Sequence, residues 1–352
     1  MPLIIPLFIL QQGCPQRCAY CNEAKAVGDY PSSLKPAFFR ETVEAGLRLN
    51  RRKKGPVQIA FYGGNFTGLK ESYQEELLAM AGSFIRQGLV ESVRISTRPD
   101  QLDEKNLDFL QRHAVKTVEI GAQSLVDEVL SLARRGHTAG DVRRAVGLLK
   151  ERGLETGLHL MVGLPGDDWV GFAFTVEETL ALRPDMVRLH PTLVFSGTEL
   201  AESYARGTYR PLTLAEAVLA CKDALGKFSA AGIPVIRLGL QTTPAMENRG
   251  SVLAGPFHPA FRALVEAALF FDRAAELLSP WDARGKEVTF FLSPRDVSYF
   301  RGQKNQNLQA LQEQFGLKKI VLSLDPARPR GFLAVALEGQ QGRLPGHDLC
   351  RA

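Results

Sequence analysis

Short apolar runs alternate with longer stretches of helical periodicity through the first half of the chain. The opening run, Leu3 to Leu10, reads as a buried strand. Helical periodicity covers Pro36 to Leu49, and Val57 to Tyr62 reads as a second buried strand. Tyr73 to Arg86 predicts a helix, Ser92 to Thr97 a strand, Glu104 to Arg112 a helix and Lys116 to Ile120 a strand. Two helical stretches, about 126–132 and 139–151, precede the strand Thr156 to Val162, and a helix over 170–182 feeds the strand Asp185 to Leu189. Strands separated by helices and bounded by turn residues predict parallel βαβ units. At least six such units point to an α/β fold, a partial or full TIM-like (β/α) barrel.

The pattern changes near the end. Leu214 to Phe228 is helical, with Cys221 at a core position. Glu287 to Leu292 reads as a strand, Pro294 to Phe300 as a short helix, and Asn307 to Phe315 as a helix stopped by Gly316. Lys319 to Leu324 and Phe332 to Leu337 follow as strands. The expected division is therefore a barrel with a substrate-facing extension over 1–275 and a small α+β domain over 285–340.

Composition adds little beyond an ordinary globular protein, with 45% hydrophobic and 23% charged residues and no low-complexity tract. Nothing approaches the roughly 20 apolar residues of a membrane span. The opening lacks the basic segment of a signal peptide and carries Pro2 and Pro6. Charge is more informative. Of the net +5, residues 285–352 hold ten Lys/Arg against six Asp/Glu, or +4, a bias toward an anionic partner such as RNA or toward a merely solvated surface. Arg51-Arg52-Lys53-Lys54 is a second basic run, read as a solvated turn.

The candidate chemistry lies in Gly13-Cys14-Pro15-Gln16-Arg17-Cys18-Ala19-Tyr20-Cys21-Asn22, directly after the first strand. Three of the five cysteines fall within eight residues, which fits a reducing cytoplasm better than a disulfide framework. Thiolates suit iron–sulfur clusters, zinc or copper(I). A structural zinc site would be closed by a fourth ligand, yet the next His is His113 and the next Cys is Cys221. Zinc and plain packing cysteines stay as alternatives to a four-iron cluster with one open corner. Cys350 in the tail reads as incidental.

The spacing Cys-x3-Cys-x2-Cys, with an aromatic residue before the last Cys, resembles the cluster loop of radical S-adenosylmethionine (SAM) enzymes. That resemblance implies a 4Fe-4S cluster on Cys14, Cys18 and Cys21, SAM on its free iron, and an external electron donor. It further implies that Gly63-Gly64 approaches SAM's amino group, with Asn65 where many relatives carry an acidic residue. Ser96 and Arg98 would lie beside the ribose, Tyr20 and Met161 beside the adenine. The run Ile120-Gly-Ala-Gln123-Ser with Arg134-Arg135-Gly136-His137 resembles the oxygen-independent coproporphyrinogen oxidase branch, which assigns Gln123 and Arg135 to ribose and carboxylate. Five successive strand ends carry such residues, at the end where barrels place their chemistry.

Over roughly residues 1–270, further motifs resemble the radical-SAM half of the catalytic subunit of Elongator, which modifies the wobble uridine of tRNA. They are Arg188-Leu-His190, Tyr209-Arg-Pro-Leu-Thr213, Ile236-Arg237-Leu-Gly-Leu-Gln241 and Ala254-Gly-Pro-Phe-His258. His190, Arg237, Gln241 and His258 are the substrate-facing candidates. The acetyltransferase domain of those relatives has no counterpart in these 352 residues, so a protein partner is expected to supply what is missing. The C-terminal unit resembles a KH RNA-binding module, with Gly302-Gln303-Lys304-Asn305 at its backbone-clamping loop and Asn305 in place of a glycine; a small α+β cap that only closes the barrel is the alternative. The expected function is a cytoplasmic radical SAM enzyme acting on RNA, above all tRNA. Two alternatives stand beside it: a radical SAM enzyme for a small molecule or peptide, and an iron–sulfur RNA-binding protein without catalysis.

Overall fold

A computed structural model describes residues 2–28, 30–49 and 55–338, and the backbone of 347–348. The basic run Arg51–Lys54 and Cys350 lie outside the described residues. The chain divides into two compact units, 1–211 with 240–255, and 212–239 with 256–352.

The first unit is built on parallel strands β1 (Leu3–Phe8), β2 (Val57–Tyr62), β3 (Ser92–Thr97), β4 (Val115–Gln123), β5 (Glu155–Val162) and β6 (Met186–Pro191). They pair in sequence order, from Leu3 beside Val57 to Gly157 beside Met186. Between them run α1 (Glu23–Val27), α2 (Pro36–Leu49), α3 (Glu71–Arg86), α4 (Glu104–Arg112), α5 (Asp127–Leu132), α6 (Ala139–Glu151) and α7 (Trp169–Leu182). The sheet curls into the partial TIM-like barrel expected for this superfamily-type pattern. A ribbon of β7 (Val194–Phe195) and a returning strand, Val252–Ala254, flanks α8 (Glu199–Ala205).

Each strand alternates two chemistries. Ile59, Phe61, Val93, Ile95, Val118, Ile120, Leu158, Leu160, Val187 and Leu189 form a wholly buried apolar set. On this side Phe61 packs against Phe39 of α2 and against Phe66. The alternate positions carry Gln58, Tyr62, Arg94, Glu119 and Arg188, which bond or pair with one another across the strands, and His159, which meets His190. Period two therefore sorts apolar residues toward the helices and polar ones toward the barrel interior.

The second unit holds α9 (Leu214–Ala230), β8 (Val235–Leu238) and then, after the 240–255 excursion with its helix α10 (Pro244–Glu247) and strand β9 (Val252–Ala254), the 18-residue α11 (Phe261–Leu278). β10 (Glu287–Leu292) leads through α12 (Val297–Arg301) and α13 (Gln306–Phe315) to β11 (Lys319–Leu324), β12 (Phe332–Leu337) and β13 (His347–Asp348). β10 pairs parallel to β11 and antiparallel to β12. Val288, Phe290, Leu292, Leu333 and Val335 pack on Phe270, Ala274 and Leu278 of α11 and on Phe300 and Leu311. α11 thus supplies one wall of this unit's core. Cys221 is buried in α9.

Candidate active site at the strand ends

The cysteine loop crosses the C-terminal ends of β1 to β4. The backbone N–H groups of Ile9 and Gln11 donate to the carbonyls of Tyr62 and Gly63, both at 2.8 Å, and that of Asn65 to Gln12 at 2.9 Å. Asn65 is fully buried, and its amide donates to the Gly13 carbonyl at 2.7 Å. Its Oδ1 accepts from Thr97 Oγ1 at 2.7 Å and from the Arg98 N–H at 3.0 Å. Asn65 therefore ties the loop to the ends of β2 and β3.

The glycines serve the same close approach. A Cβ on Gly64 would lie 2.5 Å from the Ile9 carbonyl oxygen and 2.7 Å from that of Gln12. Gly13 has φ +73°, and a Cβ there would meet the Asn65 carbonyl. Gly64→Ala should destabilise the protein by about 1–3 kcal/mol, because backbone on both sides must give way. Urea unfolding and iron retention after reconstitution check this; a variant matching the wild type in both would show that the loop relaxes freely.

Cys14 is exposed, while Cys18 and Cys21 are partly buried. Although the residue as a whole is exposed, desolvation at its sulfur pushes the Cys14 thiol up to about 11, with Glu23 and Cys18 adding and Arg135 and Arg98 opposing. Burial raises Cys21 too, followed by Glu23, Cys18 and Cys14. The three thiols thus feel one another and Arg135. Arg135 Nη1 donates to Cys18 Sγ at 3.0 Å, and Nη2 to the Gly121 carbonyl at 2.5 Å. Among the described residues, no three His, Cys, Asp or Glu side chains are already drawn together around one point. A triplet of soft donors beside a buried guanidinium nevertheless matches an anionic iron–sulfur cluster in chemistry and charge.

Around that guanidinium the structure gathers several residues singled out in the sequence. Arg98, 3% exposed, holds Asp100 at 2.9 Å and leaves Nη1 buried without a partner. Gln123 ends β4 beyond a register shift, in the left-handed region at φ +68°, with Oε1 buried and unpartnered. Arg135 Nε and His137 Nδ1 are also buried without partners. Buried polar atoms are almost always bonded, so four orphans beside one loop point to a polar ligand. Ser96 is half-buried at the end of β3. Tyr20 packs against Met161, Leu164, Val129 and Ala133, a flat apolar patch next to the polar set.

Sequence reading missed the barrel interior. Glu119 accepts from Arg94 Nη1 and from the Tyr62 hydroxyl, both at 2.7 Å, and forms an ion pair with Arg188 at 2.6 Å. Arg188 also lies over the Tyr62 ring, 4.4 Å from its centroid. His159 Nε2 and His190 Nδ1 are 2.9 Å apart, their rings edge to face. Burial, then Arg188 and Arg135, depress His159 to about 3, so it is neutral at pH 7. The available signal was a charge in alternate strand positions, as in Val93-Arg94-Ile95 and Val118-Glu119-Ile120.

Of the substrate-facing candidates, His190 and Gln241 belong to the first unit, Arg237 and His258 to the second. His258 Nδ1 accepts from the Ala260 N–H at 3.0 Å. In the loop Gly302–Asn305, Lys304 and Asn305 both adopt left-handed backbone, at φ +50° and +64°.

Asp167, in the turn after β5, gives a pH signature. Burial, then the neighbouring Asp168, lifts its carboxyl from 3.8 to about 7, against the Gly163 N–H. The folded state therefore holds the proton more tightly than the unfolded chain does. This contribution to stability is full below about pH 4 and is lost as pH rises through about 7. Asp167→Asn should gain on the order of 2 kcal/mol over the wild type at pH 8 and little at pH 4. Melting curves across that range test it; parallel profiles for the two proteins would refute the assignment.

Comparison with known proteins gives this geometry a family. The radical SAM superfamily pattern matches residues 8–178, and the radical SAM C-terminal domain pattern matches residues 184–270. A tRNA uridine(34) acetyltransferase of Methanocaldococcus infernus is 39% identical over 243 residues, 58% of this chain and 46% of that protein. The Methanocaldococcus jannaschii protein of the same name is 29% identical over 61% of this chain and 47% of its own length. Elongator complex protein 3 of Schizosaccharomyces pombe is 30% identical over 45% of this chain and 32% of its own. The chain thus spans about half the length of the archaeal relatives, or less. The solved archaeal Methanocaldococcus infernus Elp3 shares the fold, with a TM-score of 0.59 at 22% identity, covering 78% of this chain and 62% of that one. No helix among the described residues is long and apolar enough to cross a membrane. With the two radical SAM patterns together covering most of residues 8–270, and the cysteine loop set across the strand ends, the chain is an enzyme of the radical SAM superfamily.

Proposed function

We propose that this enzyme cleaves SAM reductively at a 4Fe-4S cluster held by Cys14, Cys18 and Cys21, and that it acts on tRNA. When bound, cluster and SAM together supply a 5′-deoxyadenosyl radical, chemistry that belongs to the cofactors. The protein's part is to hold and orient. The carrying observation is Arg135, a buried guanidinium spanning from Cys18 Sγ to the end of β4 with Nε still unpartnered beside Gln123. It places a fixed positive charge where an anionic cluster and a carboxylate would meet. Gly63 and Gly64 keep the loop tight on β2, and Tyr20 with Met161 offers a flat apolar wall for a base.

The substrate half rests on likeness to proteins named for tRNA uridine 34 and on the clamp loop. Gln303, Lys304 and Asn305 are exposed, and no side chain caps the first turn of α13 behind them. A phosphate could settle there, as at other helix starts. An external electron donor, and a protein partner or further segment for any acyl chemistry, complete a reading set in the cytoplasm.

The test is anaerobic reconstitution with iron and sulfide, reduction with SAM present, and assay of 5′-deoxyadenosine with and without total tRNA. Production stimulated by tRNA supports both halves. Production without stimulation keeps the SAM chemistry and discards tRNA. A loaded cluster that gives none refutes the chemistry.

A further inference from the structure

His137 stands beside the Gln123–Arg135 pair with one ring nitrogen unpartnered. It is 6% exposed, in the turn between Arg135 and the N-terminus of α6. Two anchors hold that turn. Gln16 Nε2 donates to the Arg134 carbonyl at 2.9 Å, and Thr138 caps α6 through a reciprocal bond with Asp141. The ring therefore has little freedom to move. Its Nε2 lies 3.2 Å from the Ala122 carbonyl, an acceptor, so the ring hydrogen sits on Nε2. Burial, then Arg135 and Arg98, hold the imidazole pKa near 4, so Nδ1 is a bare lone pair at neutral pH. That lone pair is buried and has no donor.

The chemistry of the missing donor follows from the neighbours. Arg135 and Arg98 both bear electrostatically on the ring and outweigh Asp100, which acts the other way and is itself paired with Arg98, so an ammonium group is disfavoured there. A carboxylate has no hydrogen to give. A hydroxyl can give one, and it can also accept from Arg98 Nη1, the orphaned donor of the same region. We propose that His137 is a nucleoside-binding residue whose Nδ1 accepts a hydrogen bond from a ribose hydroxyl of bound SAM, with Arg98 Nη1 donating to that hydroxyl. This rests on the reading that SAM binds at these strand ends. The set then pairs a neutral acceptor with a cationic donor, a combination that a hydroxyl fits and a methylene does not.

Equilibrium dialysis of the anaerobically reconstituted full chain tests this, using SAM and its 2′-deoxy and 3′-deoxy ribose analogues. Wild-type protein should bind one of the two analogues at least about tenfold more weakly than SAM, since a buried acceptor would then be left unpaired. His137→Ala should bind SAM about tenfold more weakly, hold as much iron, and no longer distinguish that analogue from SAM. His137→Phe, which keeps the ring volume, should behave alike and guards against collapse of the alanine variant. A merely structural His137 would weaken all three ligands equally and leave the discrimination intact, which overturns the proposal. So does wild-type protein that binds both analogues as tightly as SAM. Failure of the wild type to bind any of the three would overturn the SAM reading itself, and this inference with it.

Discussion

Glu119→Ala is expected to lower the stability of the protein by about 3–5 kcal/mol, the usual cost of removing one partner from a buried charge cluster. The carboxylate is 3% exposed and stands between two guanidiniums, Arg94 at 2.7 Å and Arg188 at 2.6 Å. Its removal leaves both cations in the barrel interior, with the Tyr62 hydroxyl losing its acceptor as well. Arg94 keeps Gln58 Oε1 at 2.9 and 3.0 Å and a longer ion pair with the half-exposed Glu155 at 3.6 Å, so its loss is only partial, but that distant, solvated carboxylate replaces little of the buried one. Domains commonly have only about 5–15 kcal/mol in total, so the loss is a large share. Glu119→Gln, which keeps hydrogen bonding without the charge, should fall between alanine and wild type. Urea unfolding of all three proteins decides the matter. Wild-type stability in Glu119→Ala would mean that water reaches the two arginines and solvates them.

Replacing Arg135 should strike the cysteine loop and the ligand site together. Arg135→Met removes the donors to Cys18 Sγ and to the Gly121 carbonyl, while keeping much of the side-chain volume. Hydrogen bonds to charged groups are worth about 1.5–3 kcal/mol, so SAM binding should weaken by roughly 10–100-fold. Arg135→Lys restores the charge but cannot span two acceptors with one ammonium, and should recover only part of the loss. Iron and sulfide content, together with SAM affinity by dialysis, separate the effects on loop and ligand. A methionine variant that loads its cluster and binds SAM like the wild type would remove Arg135 from the site.

Several elements were legible in the chain because local rules decide them. The order of strands and helices follows from apolar runs of period two and three to four, and each predicted barrel strand is present with its ends moved by no more than three residues. The cysteine spacing places three thiols on one loop wherever the rest of the chain goes. Asn305 in the left-handed region follows from the tolerance of Asn for that backbone, and Lys304 joining it does not, since lysine has no such preference.

What the sequence by itself determined is the alternation of elements, the loop that carries the soft ligands, and the strand ends on which polar residues collect. Only the tertiary structure decided which of those residues meet. Curling the sheet turned Arg94, Glu119 and Arg188, from three separate strands, into one buried cluster. The same closure took Asn65 to the Gly13 carbonyl, 52 positions away, and Arg135 to Cys18, 117 positions away. Packing likewise set α11 against the C-terminal sheet, where Phe270, Ala274 and Leu278 meet Val288, Phe290 and Leu333. The reason is the range of the forces involved. Periodicity and turn preference act over a few residues, whereas the pairing of a buried charge or an orphaned donor is settled only when distant strands arrive beside it.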